Sequence, residues 1–258
     1  MTQDESDFIF EQPLNERYRT FLRLDFLYNQ ALHHNSQDSH WASRAAVAAL
    51  LEILAITARG DTRADVMKEL ERQLAILNEY QRKKGVDVAR LRDVMSNLMR
   101  IRNELLELGA NFMQPLKESE FLAAIKHRSA IPGGTCEFDL PDYYFWLNQP
   151  AKERVRDFSA WLALLRPLFD AIAEVLWIVR QNGRAREELA NEGVIHINLD
   201  RDANLQLLRI AVPRELGLFP EVSGSHYRCS IRFMCWQGLG ERSRQYQGDV
   251  RFRLISCS

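Results

Sequence analysis

Arginines recur at close spacings near the C-terminal end of the sequence, where they could bind carboxylates. Arg228 and Arg232 are four residues apart, and Arg251 and Arg253 are two apart. In an extended strand either spacing places both side chains on one face, with residues i and i+4 about 13 Å apart. A guanidinium donates forked hydrogen bonds to a carboxylate, each worth on the order of 1.5–3 kcal/mol when partly desolvated. If the two strands pair, the sequence predicts a guanidinium cluster suited to an acidic peptide.

Other chemistries fit the residue pattern less well. Nucleic-acid binding would use the same arginines with exposed stacking aromatics, but Tyr227 and Phe233 are predicted on the core side of their strand. The sequence contains neither of the hydrolase motifs Gly-x-Ser-x-Gly and His-Glu-x-x-His. The paired acids Glu187 and Glu188 are interpreted as a solvated helix end rather than as catalytic residues. The pattern therefore favours a binding module over an enzyme. A merely solvated arginine surface and a nucleic-acid adaptor remain as alternatives.

The cysteines do not form a metal-binding pattern. Cys136, Cys229, Cys235 and Cys257 include no Cys-x-x-Cys pair, and we predict reduced thiols, no metal and no cofactor. The alternative is a metal site made by Cys229, Cys235 and His226, which would require the fold to bring them together.

Charge is distributed unevenly along the chain. Residues 194–258 hold nine arginines, no lysine and six acidic residues, a formal net charge of +3, whereas the whole chain carries −1. Any electrostatic partner must therefore meet a local patch rather than the whole molecule. The N-terminal residues are polar and acidic and no run of about 18 apolar residues occurs, so we predict a cytoplasmic protein without a membrane segment.

The spacing of apolar residues predicts the helices and strands that carry the candidate arginines. Apolar residues at helical spacing predict helices through most of the chain as far as about residue 182, with Pro167 kinking or restarting the last of them. Helices opening at Asp61 and Asp87 are joined by a short turn, which predicts an antiparallel hairpin. This hairpin is either part of the core or a dimerisation arm.

After about Glu192 the period changes from 3.6 to 2, which predicts an antiparallel sheet exposed on one face. The chain is therefore predicted to be α+β. A helical domain covers residues 14–190 and a β domain covers residues 191–258. The segment 8–12 can add a strand to that sheet and join the two ends of the chain.

Four stretches of the sequence resemble the ZapD family in order and spacing. They are FEQPLNE at 10–16, IPGGTCEFDLP at 131–141, WL at 146–147, and SG at 223–224 followed by RCSIRFM at 228–234. The resemblance runs from about Phe8 to Phe252. It implies a helical domain joined to a β domain, a homodimer without catalytic activity, and binding to the C-terminal peptide of FtsZ, the bacterial tubulin homologue. It also implies bundling of FtsZ filaments in the cytoplasm at the division site, with the helical domain dimerising and the β domain holding the peptide.

The resemblance also implies particular contact residues. The family's basic pair on a late strand matches Arg228 and Arg232, which periodicity independently places on one exposed face. Two further basic positions of the family match Arg23 and Arg59, which the resemblance implies are additional charged contacts.

The chain departs from the family pattern at two places. Glu120 stands where a basic residue is expected, with Lys117 nearby as a substitute, and Tyr144 stands where a histidine would be expected. The Pro-Gly-Gly turn is interpreted as structural, positioning Phe138 and Trp146 against the helices.

Overall fold

The computed structural model describes residues 6–81, 85–109, 111–199, 204–225 and 228–258. Helices in these ranges are α1 (Glu16–Asn35), α2 (His40–Thr57), α3 (Thr62–Tyr80), α4 (Val88–Glu107), α5 (Gln114–Lys117), α6 (Glu120–Ser129), α7 (Pro141–Leu147) and α8 (Ala151–Gln181). Strands are β1 (Asp7–Pro13), β2 (Arg184–Ala190), β3 (Val194–Asn198), β4 (Leu207–Pro213), β5 (Leu218–Ser225), β6 (Arg228–Cys235), β7 (Arg244–Gln245) and β8 (Val250–Cys257). The α+β prediction is confirmed, because helices fill the central region and antiparallel sheets follow.

The chain divides into two compact units. The helical unit is Phe21–Val175, and the β unit combines the residues up to Thr20 with Leu176–Ser258. Helices α1 and α8 each contribute residues to both units. This division differs from the predicted boundary between residues 190 and 191, because the residues that follow α8 already form strand β2.

Side-chain caps set the starts of the central helices. Asp61 accepts a hydrogen bond from the backbone N–H of Ala64, and Asp87 accepts one from Arg90, so both carboxylates satisfy an otherwise unpaired donor. Arg63 at the start of α3 donates to the carbonyl oxygen of Leu105 at the end of α4. This contact confirms that α3 and α4 form the predicted antiparallel hairpin.

Helix α8 runs without interruption from Ala151 to Gln181, so the predicted restart at Pro167 is wrong. An interior proline costs about 3 kcal/mol or more. Leu162, Leu165 and Leu168 surround it and are almost completely buried. Burial of each such side chain contributes roughly 1.5–3 kcal/mol, which outweighs the proline penalty.

The strands of the β unit form two antiparallel sheets. Sheet A has the order β1-β4-β8-β2, and sheet B has the order β3-β6-β5 with β7 also pairing with β6. The predicted N-terminal strand is confirmed, since β1 pairs with β4 from Asp7 opposite Pro213 to Pro13 opposite Leu207. Strands β6 and β8 do not pair, because they lie in different sheets.

One apolar core joins the two sheets of the β unit. Ile231 and Phe233 of sheet B and Phe252 and Leu254 of sheet A belong to the same buried cluster. The rings of Phe233 and Phe252 lie 4.9 Å apart between centroids. The inner faces of β6 and β8 therefore point toward each other, as in a β-sandwich.

Strand β2 corrects the interpretation of Glu187 and Glu188 as a helix end. Both residues lie in β2, which pairs with β8 and places Glu187 opposite Arg253. The local sequence, Arg184-Ala185-Arg186-Glu187-Glu188-Leu189-Ala190, contains residues that favour helices. Pairing with a strand more than 60 residues later overrides that local preference.

Among the described residues, only α2 is long and apolar enough to span a membrane. More than half of its residues are buried inside the protein, including Val47, Leu50 and Ile53. This burial is typical of a core helix.

Candidate functional site

Strand β6 places two arginines on the outer surface of sheet B. Arg228 and Arg232 are exposed, while Cys229, Ile231 and Phe233 alternate with them and are buried. The predicted alternation is confirmed for the described residues of this strand, and Tyr227 lies outside them. Because β3 and β5 pair with β6 on its two sides, the backbone that carries the arginines is fixed.

The strand register shows which side chains lie beside the arginines. Val194 and Glu221 lie opposite Arg232, His196 and Ser223 lie opposite Ser230, and Asn198 lies opposite Arg228. Residues directly opposite in a sheet share one face. We call this surface the arginine face; its residues are Arg228, Arg232, Ser230, Val194, His196, Asn198, Glu221 and Ser223.

Both arginines have weak contacts within the sheet. Arg232 Nη2 lies 3.3 Å from Glu221 Oε2, and the two side chains are 51% and 49% exposed. Arg228 Nε donates to Asn198 Oδ1 at 3.3 Å. A guanidinium carries five N–H donors, so most donors on this face are available to a ligand.

Arg251 and Arg253 do not join Arg228 and Arg232 in one cluster, so that part of the prediction is wrong. They lie on β8, whose inner face packs against that of β6, and the polar faces of the two strands therefore point in opposite directions. Arg251 is exposed. Arg253 Nη2 instead lies 2.7 Å from Asp7 Oδ2, and these side chains are only 23% and 11% exposed.

A second ion-pair network uses two more arginines of the β unit. Arg180 donates to both carboxylate oxygens of Glu11, at 2.8 and 2.7 Å, and Arg209 Nε lies 3.1 Å from Glu11 Oε1. Glu11 and Arg209 are about one-fifth exposed. Part of the positive charge expected from composition is thus neutralised inside the β unit.

The other predicted basic residues belong to the helical unit. Arg23 is exposed on α1, Arg59 is exposed two residues after the end of α2, and Lys117 is exposed at the end of α5. Glu120 is the first residue of α6, and Tyr144 is 47% exposed on α7.

Of the two aromatic residues predicted to pack against the helices after the Pro-Gly-Gly turn, Trp146 does so and Phe138 does not. Trp146 is buried and its Nε1 donates to Asp157 Oδ2 at 3.2 Å, whereas Phe138 is 83% exposed, which corrects the prediction. Successive turns connect residues 131–140, including a hydrogen bond from Leu140 N to Cys136 O, and it is Leu140 that is buried. The turn is further held by Arg44, which donates to both oxygens of Thr135.

All four thiols are free, as predicted. Burial raises the pKa of Cys229, against a smaller opposing effect of Arg186, and raises that of Cys257 to about 11. Both are therefore protonated and poorly nucleophilic near neutral pH. Across the described ranges no group of three metal-binding side chains is found, and His226 lies outside those ranges.

A helical unit and a β-sandwich that exposes arginines on one strand define a two-unit α+β protein with a positively charged sheet surface. Comparison with known proteins identifies the family. The profile of the ZapD cell division protein family matches residues 22–232, and the chain belongs to this family.

Cell division proteins ZapD from three organisms align with nearly the whole chain. The protein from Methylococcus capsulatus is 39% identical, covering 96% of this chain and 97% of its own length. The one from Janthinobacterium sp. (strain Marseille) is 37% identical, covering 97% and 99%, and that from Azoarcus sp. (strain BH72) is 34% identical, covering 96% and 98%.

Proposed function

We propose that this protein is a non-enzymatic, cytoplasmic cell-division factor that acts at the division site. It forms a homodimer, binds the C-terminal peptide of FtsZ and bundles FtsZ filaments into a stable ring. The observation that carries the proposal is the exposed pair Arg228 and Arg232, held on a strand that is paired on both sides. Membership of a family of cell division proteins supports the cellular role.

The arginine face suits a peptide that carries carboxylates. Planar guanidinium groups bind carboxylates through two parallel hydrogen bonds, which fixes orientation as well as attraction. The contacts of Arg228 and Arg232 with Asn198 and Glu221 are long, so a ligand can replace them at little cost. Among the predicted contacts, Arg251 is also exposed, whereas the ion pair of Arg253 with Asp7 leaves that residue less accessible.

Bundling follows from two peptide sites in one dimer. We propose that protomers associate through the helical unit, so that each presents its own arginine face. A single contact of about micromolar strength, about −8 kcal/mol, suffices because many tails along a filament raise the effective concentration. Arg23, Arg59 and Lys117 are proposed as additional contacts in the helical unit.

A charge-reversal variant tests the proposal. Arg228→Glu with Arg232→Glu should weaken FtsZ-peptide binding by more than about tenfold, because two charge-assisted contacts become repulsive. Sedimentation of FtsZ filaments should then show no bundling, while the variant stays folded and dimeric. Arg184→Glu with Arg242→Glu is the control, since both residues are exposed in the same unit and the net charge change is identical. Normal bundling by the folded test variant would refute the site.

Nucleic-acid binding is a second candidate for the same surface. Arginines also bind phosphate, and Trp236, which is 63% exposed directly after β6, supplies one ring that could stack on a base. Tight binding of single-stranded or duplex DNA at physiological salt would favour this candidate. Absence of DNA binding together with peptide binding would exclude it.

A further inference from the structure

His196 lies in the middle of the arginine face, on strand β3. The strand register places it opposite Ser230 of β6, which is flanked along β6 by Arg228 and Arg232. Diagonal neighbours across a strand pair lie about 7–8 Å apart between Cα atoms, within reach of long side chains. His196 is also exposed. Its imidazole therefore adds a group that can carry positive charge to the two guanidinium groups.

The two guanidinium groups make their contacts on opposite sides of β6. Arg228 Nε donates to Asn198 Oδ1 on β3. Arg232 Nη2 instead lies 3.3 Å from Glu221 Oε2 on β5. Asn198 is two residues from His196, so their Cα atoms lie about 6.6 Å apart on one face of β3. The guanidinium of Arg228 is thus on the same side as His196, and a carboxylate that accepts a hydrogen bond of about 2.9 Å on each oxygen can bridge the two side chains.

Charged groups on the surrounding strands leave the charge of His196 open to a ligand. Arg228 and Arg232 of β6 oppose a positive charge at this position, whereas Glu221 of β5 favours one. Pairs of opposite charge at β2 and β7 compensate each other: Arg186 with Glu188, and Arg244 with Glu241, each at 2.6 Å. Within the described ranges His196 belongs to no group of three metal-binding side chains. A ligand carboxylate is thus the group that can favour its protonated form.

We propose that His196 is a third contact for the carboxylates of the bound peptide, and that it binds them in its protonated form. This role rests on the proposed function, because the peptide is the FtsZ tail already assigned to the arginine face. Histidine is the side chain whose charge ordinarily changes between about pH 5 and about pH 8, and a protonated imidazole donates from both ring nitrogens. A carboxylate beside it favours this form, so peptide binding takes up a proton from the solvent.

The sign of the pH dependence follows from this proton uptake. A reaction that takes up a proton is favoured as pH falls, so the peptide should bind more tightly at about pH 6 than at about pH 8. Exposed charge pairs contribute only modestly, which gives an increase in affinity of about two- to fivefold. The carboxyl groups of the peptide titrate at about pH 4 and do not contribute in this range. The proposed bundling should therefore strengthen as the solution becomes more acidic.

Two substitutions of His196 in the full-length protein test this role. His196→Asn places a polar side chain there that cannot be protonated, so its affinity for the peptide should be nearly equal at about pH 6 and about pH 8. His196→Arg carries a permanent positive charge, and at about pH 8 it should bind about two- to fivefold more tightly than the unsubstituted protein. Isothermal titration with an N-acetylated FtsZ C-terminal peptide measures these affinities. Titrations in two buffers of different ionisation enthalpy measure the proton uptake, which His196→Asn should abolish.

His40→Asn is the matched control. His40 is the first residue of α2 and is exposed, so this variant loses one imidazole that is not part of the arginine face. It should keep the pH dependence and the proton uptake of the unsubstituted protein. Circular dichroism at both pH values checks that all variants are folded.

The possible outcomes distinguish this role of His196 from the proposed function. If the unsubstituted protein binds the peptide equally at both pH values, or if His196→Asn keeps the pH dependence, the role of His196 is wrong and the proposed function stands. If His196→Asn weakens binding equally at both pH values, His196 acts as a neutral contact and the proposed protonation is also wrong. If the unsubstituted protein does not bind the peptide at either pH, both proposals fail.

Discussion

Arg232 lies opposite an acidic residue of its own sheet, and this contact bears on how a ligand binds. Glu221 Oε2 is 3.3 Å from Arg232 Nη2, with both side chains about half exposed. A ligand carboxylate that binds Arg232 must compete with this one. Exposed pairs of this kind contribute about 0.2–1 kcal/mol, so the competition is weak but measurable.

Glu221→Gln should therefore strengthen peptide binding by about two- to fivefold. The substitution removes the competing carboxylate and one negative charge from the arginine face. Anisotropy of a labelled FtsZ peptide measures the effect. Glu215→Gln, which changes an exposed acid elsewhere in the β unit, is the control and should have no effect. Weaker binding by Glu221→Gln would mean that Glu221 orients Arg232 for its ligand.

Arg253→Ala should act on stability rather than on binding. Its partner Asp7 is only 11% exposed, and removal of one member of such a pair leaves a largely buried charge, which costs about 1–3 kcal/mol. Urea unfolding should show this loss, while peptide affinity should stay within about twofold. Arg251→Ala, two residues away and exposed, should change stability by less than about 0.5 kcal/mol. Equal stability of the two variants would contradict a structural role for Arg253.

The turn between β2 and β3 sets the position of β3 beside β6. Glu192 and Gly193 both have positive φ, 49° and 74°, as in the two-residue turns that match the twist of a hairpin. A Cβ on Gly193 would lie 2.1 Å from the carbonyl oxygen of Tyr246. The carbonyl of Gly193 also accepts a hydrogen bond from Phe233 N, which connects the turn to β6.

Gly193→Ala should destabilise the protein by about 2 kcal/mol or more, through both positive φ and the steric overlap. Gly217→Ala is a matched control, because Gly217 has φ of 62° but a Cβ added there would have no atom within 4 Å among its described surroundings. Gly217→Ala should lower the free energy of unfolding by only the cost of the positive φ, about 1 kcal/mol. Thermal unfolding of both variants measures the difference, and similar losses would show that the backbone near Tyr246 shifts to accommodate the methyl group.

The sequence predicts elements well where their signal is local. The central helices follow from apolar spacing and from capping by Asp61 and Asp87, and the alternation along β6 places Arg228 and Arg232 correctly on an exposed face. Strand β2 could not be predicted, because its residues favour a helix and only pairing with β8 makes it a strand.

Long-range pairing explains the errors at the candidate site. Alternation shows which arginines face outward on a strand, but it cannot show that β6 and β8 lie in opposite sheets. The partner of Arg253 is 246 residues away in the sequence, so no local pattern indicates the ion pair.

At the scale of the whole molecule, the proposed bundling requires two peptide sites in one particle. The β unit provides one arginine face per protomer, so a dimer should bind two FtsZ peptides. Isothermal titration should give one peptide per protomer, and sedimentation velocity should give a dimer. A monomer that still bundles filaments would contradict the proposed bridging.

Salt should separate peptide binding from dimerisation. The Debye length falls from about 8 Å at about 0.15 M salt to about 3 Å at 1 M, which screens exposed charges such as Arg228 and Arg232. Filament pelleting should therefore disappear at high salt. The proposed self-association through the helical unit is expected to persist, because burial of apolar surface is not weakened by charge screening. Loss of the dimer before loss of pelleting would contradict this assignment of roles.

Strand β8 lies between β4 and β2 in sheet A, and it supplies Phe252 to the core beneath the arginine face. While the chain is being translated, β1 leaves the ribosome before the other described strands, yet sheet A cannot be completed until β8 has also emerged, because β8 joins β4 to β2. The entire helical unit is synthesised in that interval. A nascent chain that ends before β8 therefore lacks a finished sandwich, so such chains should not compete with full-length ones for the proposed FtsZ peptide.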